Sequence, residues 1–233
     1  MIKPDTCIYL AAMHPVFNRK YAPLFNNMDA KNSSHLFSSL LLNNHQNIQN
    51  INLKTSVVYC FDEKDKDSVP DELKSAKATL HFSDTCNPYQ CIRNIEEKYF
   101  SSHKNNFILF SDSIGLSSSA MCKGIDLLNI ESDAVTIGRS LNNRISFIGF
   151  NFINKELLQE IHWSDNNYEN LLYKVNKYDA FLHVLNKTLL VNSIEDFKTL
   201  YDELSKKESW NYCNQEMHEH FTHLFIEYKE EIK

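Results

Sequence analysis

Along the chain, short apolar runs alternate with stretches in which apolar residues recur every three or four positions. The runs predict strands at Cys7–Ala12, Ser56–Phe61, Ala78–Phe82, Phe107–Ser111, Ala134–Gly138 and Ile145–Phe152, with a weaker one at Phe181–Leu185. The helical spacing predicts helices at Ser34–Asn44, Pro88–Phe100, Ser117–Leu128, Lys155–Ile161, Tyr168–Asn176 and Ile194–Ser205, with a short one at Asp71–Lys77. Such alternation implies an α/β domain in three layers, a mostly parallel central sheet covered on both faces and joined by right-handed crossovers. Near the end, Met217, Phe221, Leu224, Phe225, Tyr228 and Ile232 fall on one helical stripe. The expected organisation is an α/β domain over residues 1–205 and an added C-terminal amphipathic helix over 206–233, docked on the domain or on a second subunit as a homodimer contact.

Composition narrows the function classes. A hydrophobic content of 42% over 233 residues is enough to bury a real core. The net charge of −6, with no dense Lys/Arg run, argues against a nucleic-acid partner. No apolar stretch approaches the roughly 18 residues that a membrane span needs. The N-terminal apolar run is too short for a signal peptide and reads as a first strand. Six cysteines without a C-x-x-C pair, several inside apolar runs, point to buried reduced thiols and a cytoplasmic location. Glycine is scarce: only Gly115, Gly124, Gly138 and Gly149 are present. Neither G-x-G-x-x-G nor a P-loop can be written with them, which excludes both phosphate-binding motifs.

The most informative segment is Phe107–Leu128, where an apolar strand ends in Ser111-Asp112-Ser113 before a serine-rich helix start. Open α/β sheets bind ligands beyond the carboxyl ends of their strands, so Asp112 stands in the expected place; a turn or helix cap is its alternative role. Ser117–Ser119 read as the cap of the next helix rather than as nucleophiles, because no elbow glycine pattern surrounds them. His218, His220 and His223 do not make a metal cluster, since His218 points about 200° from His220 at helical pitch.

Several fragments, taken in order, resemble the GT-A-like (Rossmann-like) nucleotide-diphospho-sugar transferases, in particular the bacterial glycosyltransferase A branch (DUF2064). SDSIGLS at Ser111–Ser117 resembles that branch's S-D-x-P-x-L-T, and DAVTIGR at Asp133–Arg139 resembles D-x-V-x-G-P. NNRISFIG at Asn142–Gly149 stands for D-G-G-Y-Y-L-I-G, IHWSD at Ile161–Asp165 for I-x-W-S-T, and VNSIEDF at Val191–Phe197 for V-D-T-x-x-D-L. The opening loop Leu10–Leu24 resembles the phosphate-wrapping loop of sugar nucleotidyltransferases, with Met13 at the glycine position. The resemblance implies a GT-A-like three-layer fold and a nucleotide-diphospho-sugar donor with an acceptor yet to be named. It implies Mg²⁺ or Mn²⁺ at Asp112, contacts to the diphosphate from Arg19, Lys20, Asn142 and Arg144, and Asp165 as a base on the acceptor side.

Two carboxylates of the pattern are amides here, Asn142 and Asn192, and Arg144 replaces a glycine. Each Asp-to-Asn change keeps an oxygen but removes the charge that binds a divalent ion. Arg144 could supply a cation that pairs with phosphate directly. The leading expectation is a glycosyltransferase. Its alternatives are a catalytically degenerate relative acting as a binding or scaffold module, and a nucleotidyltransferase of the same fold.

Overall fold

The computed structural model describes residues 5–12, 14–18, 24–75, 77–84, 88–153 and 167–232. The predicted helix at Lys155–Ile161 lies outside them, as do Met13, Arg19, Lys20 and Asp165.

One mixed sheet organises the chain. Its strands are β1 (Thr6–Ala11), β2 (Thr55–Asp62), β3 (Thr79–Ser83), β4 (Asn105–Phe110), the two-residue β5 (Ser113–Ile114), β6 (Ala134–Ser140), β7 (Ile145–Phe150) and β8 (Phe181–Leu190). They lie in the order β3-β2-β1-β4-β7-β6-β8-β5. β1, β2, β3 and β4 are parallel, β7 runs antiparallel to both its neighbours, and β6 and β8 are parallel again. The helices are α1 (Ala30–Gln49), α2 (Asp71–Ser75), α3 (Pro88–Tyr99), α4 (Ser118–Ile130), α5 (Tyr168–Val175), α6 (Ile194–Leu204), α7 (Gln215–Glu227) and α8 (Lys229–Ile232).

Strand alternation sorts the core onto two faces. From β1, Ile8 and Leu10 join the cluster formed with α1, α4, α6 and α7, while Cys7, Tyr9 and Ala11 join the cluster formed with α3 and α5. A six-residue strand with every residue buried is what a central parallel strand requires. Phe107 of β4 stacks on Phe147 of β7, with ring centroids 5.0 Å apart. The Phe147 ring also lies over Gly138 of β6, where an added Cβ would come within 2.1 Å of it.

The α/β class and mostly parallel sheet follow the expectation, with differences at the element ends. β7 stops at Phe150 rather than Phe152, and β8 runs on to Leu190. α1 continues to Gln49, five residues beyond the predicted Asn44, because the polar Asn43, Asn44, His45 and Asn47 are buried, with Asn44 and His45 bonded to the sheet side and Asn47 donating to Tyr212 O. Side-chain caps start α1, α4, α6 and α7: Asp29, Ser117, Ser193 and Asn214 each accept a backbone N–H of the first turn. The apolar stripe of the tail is buried against the same chain. Asn32 of α1 donates to Glu227 Oε1 at 2.7 Å and to Tyr228 Oη at 2.9 Å. Phe197 of α6 packs against Phe225 and Tyr228.

The buried histidine His45 donates or accepts at Tyr59 Oη over 2.5 Å, and its Nε2 lies 3.7 Å from Glu72 Oε1. Burial pushes its pKa below the ordinary 6.5, the nearby Glu72 opposing. Burial also lowers His35, His81 and His218. The unfolded chain then binds more protons than the folded one as pH falls below about 6.5, so this contribution to stability is present above that value and lost below it. The melting temperature is therefore expected to fall between about pH 7 and pH 5.5, with a shallower slope in His45→Gln. Equal slopes in the two proteins would remove His45 from this account.

Candidate functional site

Because β7 runs against β4 and β6, its first residues, not its last, reach the carboxyl edge of the parallel strands. Four segments meet there: the loop after β1, the Ser111–Asp112 turn after β4, the β6–β7 turn at 141–144, and the Val191–Ser193 junction between β8 and α6. Backbone bonds tie the second to the fourth, since Val191 N–H donates to Asp112 O at 3.0 Å.

Asp112 is 5% exposed. Its turn is fixed from behind by Asn44 of α1, whose Nδ2 donates to Ser113 O at 2.7 Å and to Ser111 O at 3.3 Å. Ser113 Oγ closes the turn by donating to Phe110 O at 2.7 Å. Gly115 leaves it with φ of +102°, a conformation that L side chains rarely adopt.

The β6–β7 turn holds the other predicted residues. Asn143 takes φ of +59°, the left-handed conformation that asparagine tolerates best after glycine. The turn thus uses a backbone conformation that glycine, the residue of the pattern, adopts at least cost. Arg144 N–H donates to Ser140 Oγ at 2.9 Å, and Ser140 Oγ in turn donates to Asn142 Oδ1. Asn142 Nδ2 donates to Leu190 O at 3.0 Å and to Asp196 Oδ1 at 2.8 Å. Both ends of the Asn142 amide are thus bonded within the chain.

Asn192 joins the pieces. Its amide is oriented by its partners, because only one orientation satisfies both ends. Nδ2 donates to Asp112 Oδ2 at 3.0 Å and to Val191 O at 3.1 Å, while Oδ1 accepts from Arg144 Nη1 at 2.7 Å. The backbone N–H of Asn192 donates to Asp196 Oδ2 at 2.9 Å. Carboxylate, amide and guanidinium form one line, Asp112–Asn192–Arg144, and Asp196 clamps both asparagines to the start of α6.

The loop after β1 has its own anchor. Asp65, fully buried, accepts the N–H groups of Val16, Phe17 and Asn18 at 2.6, 3.0 and 3.1 Å. Burial pushes the Asp65 carboxyl up, against the pull of those three donors.

Of the residues singled out in the sequence, Asp112, Asn142 and Arg144 come together at one edge; Arg19, Lys20 and Asp165 lie outside the described residues. Asn44, Asp65, Asn192 as a link, and Asp196 as a clamp were not foreseen. Asn192 and Asp196 did carry a signal, the first as the amide at a carboxylate position and the second as the later acidic residue of the VNSIEDF fragment.

The donor set can be tested against a divalent ion. Among the described residues no group of three or more His, Cys, Asp or Glu side chains could hold a metal. Both oxygens of Asp196 accept hydrogen bonds from within the chain, and an N–H is aimed at Asp112 Oδ2. Hard cations want several oxygen ligands, and an amide presenting its nitrogen is not one. The described residues therefore offer a divalent ion the Asp112 carboxylate alone, with an N–H already on one of its oxygens, so that phosphate oxygens and water would have to supply the rest.

The mostly parallel sheet, with β7 antiparallel within it and a polar site at its carboxyl edge, is a GT-A-like fold, the fold also found in nucleotide-diphospho-sugar transferases and nucleotidyltransferases. Among solved structures, the chain is similar to a proposed nucleotide-diphospho-sugar transferase from Desulfovibrio desulfuricans G20, at 15% identity and a TM-score of 0.72, covering 98% of this chain and 97% of that one. It is similar to a cytidylyltransferase from Leptospira borgpetersenii serovar Hardjo-bovis (12% identity, TM-score 0.52, 98% and 97% covered). A third structure is Rv0371c of Mycobacterium tuberculosis H37Rv in complex with manganese (11% identity, TM-score 0.50, 87% and 100% covered). At these identities the likeness is one of fold. No family model and no curated protein matches the sequence.

Proposed function

We propose that the chain is a glycosyltransferase that binds a nucleotide-diphospho-sugar at the carboxyl edge of the sheet. The observation that carries this reading is the Asp112–Asn192–Arg144 line, an organised polar chain with a cation at one end, set where this fold places ligands. In such a reaction the bond between the sugar's anomeric carbon and the diphosphate oxygen breaks, and an acceptor oxygen bonds to that carbon. The acceptor's proton passes to a base, and the leaving diphosphate gains negative charge that fixed cations stabilise. Arg144 is the described cation for that task, with Arg19 and Lys20 as further contacts and Asp165 as the base. Asn142 and Asp196 are positioning residues that hold the turn carrying Arg144. Membership of the glycosyltransferase A branch, with a cytoplasmic site of action, completes the reading.

The loop after β1 weighs for glycosyl transfer over nucleotidyl transfer. Among the described residues of that loop, Val16, Phe17 and Asn18 give their N–H groups to Asp65 instead of offering them to substrate phosphates, as a phosphate-wrapping loop would. As for Mg²⁺ or Mn²⁺, the described donors speak against it.

A thermal-shift series with UDP-, GDP-, CDP-, ADP- and dTDP-sugars tests the reading on wild type, Asp112→Ala and Asp112→Asn. A donor at about 100 times its Kd adds about 2.7 kcal/mol, a shift of roughly 5 °C or more for a chain of this size. One donor is expected to produce it, with the shift lost in Asp112→Ala and kept in Asp112→Asn, which still offers Asn192 an acceptor oxygen, while both variants melt cooperatively without ligand. If no donor moves the wild-type transition, the glycosyltransferase reading fails.

A further inference from the structure

From the Asp112–Asn192–Arg144 line we infer that this site holds its nucleoside diphosphate without a divalent metal, with the Arg144 guanidinium in the ion's place. The inference rests on the nucleotide-sugar reading and adds how the diphosphate is neutralised. Three observations carry it, each on a different residue.

The first is the direction of the Asn192 amide. Its N–H points at Asp112 Oδ2 and its oxygen faces Arg144 Nη1. An ion on Asp112 Oδ2 would have to displace that N–H. Turning the amide over to offer its oxygen would set its NH₂ against the guanidinium, donor against donor, and leave two bonds unmade.

The second is Asp196, the buried carboxylate that bonds both asparagines. Its two oxygens are held by Asn142 Nδ2 and the Asn192 backbone N–H, so it belongs to the scaffold of the loops.

The third is Arg144 itself. Its position on the turn is set by Ser140 through both backbone groups: Arg144 N–H donates to Ser140 Oγ at 2.9 Å, and Ser140 N–H donates to Arg144 O at 2.8 Å. Among the described residues, Asn192 is the one side chain that bonds its guanidinium. Its other N–H donors keep a planar fork that matches phosphate oxygens two at a time. Three carboxylates with a divalent ion would carry a net charge of −1, whereas Asp112 with Arg144 carries none, so one fixed cation leaves this edge no more negative than the ion would. The two amide replacements and the arginine therefore read as one exchange: charge is removed from the ligand side and returned as a fixed cation.

The experiment uses the full chain and measures binding of UDP, GDP, CDP, ADP and dTDP by calorimetry, once with EDTA and once with Mn²⁺. One nucleotide is expected to bind with the same Kd, within about two-fold, in both conditions. Arg144→Gln is expected to weaken it by about 10-fold or more, and Arg144→Lys by less, since the charge remains but the fork is lost. The double variant Arg144→Gln with Asn192→Asp, which returns a carboxylate and removes the cation, is expected to bind weakly in EDTA and to recover with Mn²⁺. If wild type binds only with Mn²⁺, the metal-free site is overturned and the nucleotide-sugar reading stands. If Arg144→Gln binds as wild type does, the role of Arg144 is overturned. If no nucleotide binds in either condition, both readings fall. The wild-type comparison needs no variant, so a misfolded substitution cannot hide the answer.

Discussion

Asp65→Ala is expected to lower folding stability by about 3–5 kcal/mol, a large share of the 5–15 kcal/mol typical of a domain. The Asp65 side chain is fully buried and is the acceptor for three successive N–H groups of one loop. Removing it orphans those donors at about 1–3 kcal/mol each where water cannot reach. Val16 is buried, whereas Phe17 and Asn18 are not, so water recovers part of the loss at the latter two. Asp65→Asn keeps an acceptor oxygen and is expected to cost about half as much, while a change at the exposed neighbour Lys64 should cost almost nothing. Urea denaturation of the three variants gives the order directly. A wild-type midpoint for Asp65→Ala would mean that the loop does not depend on this carboxylate.

Phe197→Ala is the second large effect, at about 3–5 kcal/mol for a fully buried phenylalanine. Phe197 is the hub of an aromatic group in which its ring lies 5.9 Å from Phe25, 5.3 Å from Phe225 and 6.4 Å from Tyr228. The cavity would loosen the tail helix and the start of α6 together. Asp196 stands next to Phe197 and clamps Asn142 and Asn192, so the expected result is lower stability and weaker nucleotide binding in one variant. Phe197→Leu, which keeps most of the volume, should cost less than about 1.5 kcal/mol and spare binding. Denaturation and calorimetry on both variants separate the two effects. Unchanged binding in a destabilised Phe197→Ala would show that the clamp does not rely on this packing.

These residues also mark what was legible in the sequence. β1, β4 and β6 could be read because a strand buried on both faces is a continuous apolar run. Asp112 could be read because it breaks such a run at its carboxyl end. The second half of α1 could not: NNHQNIQ is polar by composition, and its burial depends on partners such as Ser111 O, Ser113 O and Tyr59 Oη that lie elsewhere in the chain. The same holds for the site. Asp65 reaches its three donors across 47 to 49 residues, and Asn142 reaches Asp196 across 54. No local pattern encodes such pairs, because each is made by the folding of two separate segments onto one sheet edge. The D-G-G fragment was legible as a match with losses. Only the structure shows that Asn143 takes a left-handed backbone conformation and that Asn192 turns its nitrogen toward Asp112.

Asn44 has a wider consequence for how tolerant this protein can be. Greasy helix–sheet contacts are forgiving: a helix can slide or rotate by a fraction of a turn and repack, which lets sequences drift. A side-chain amide that must meet two particular carbonyls permits only one setting of α1 along the sheet. Asn44 thus acts as a detent, and the Asp112 turn inherits its position from a helix that begins far from it in the chain. Mutational drift on the outer surface of α1 should be harmless, whereas any change that shifts the helix lengthwise reaches the sheet edge undiluted.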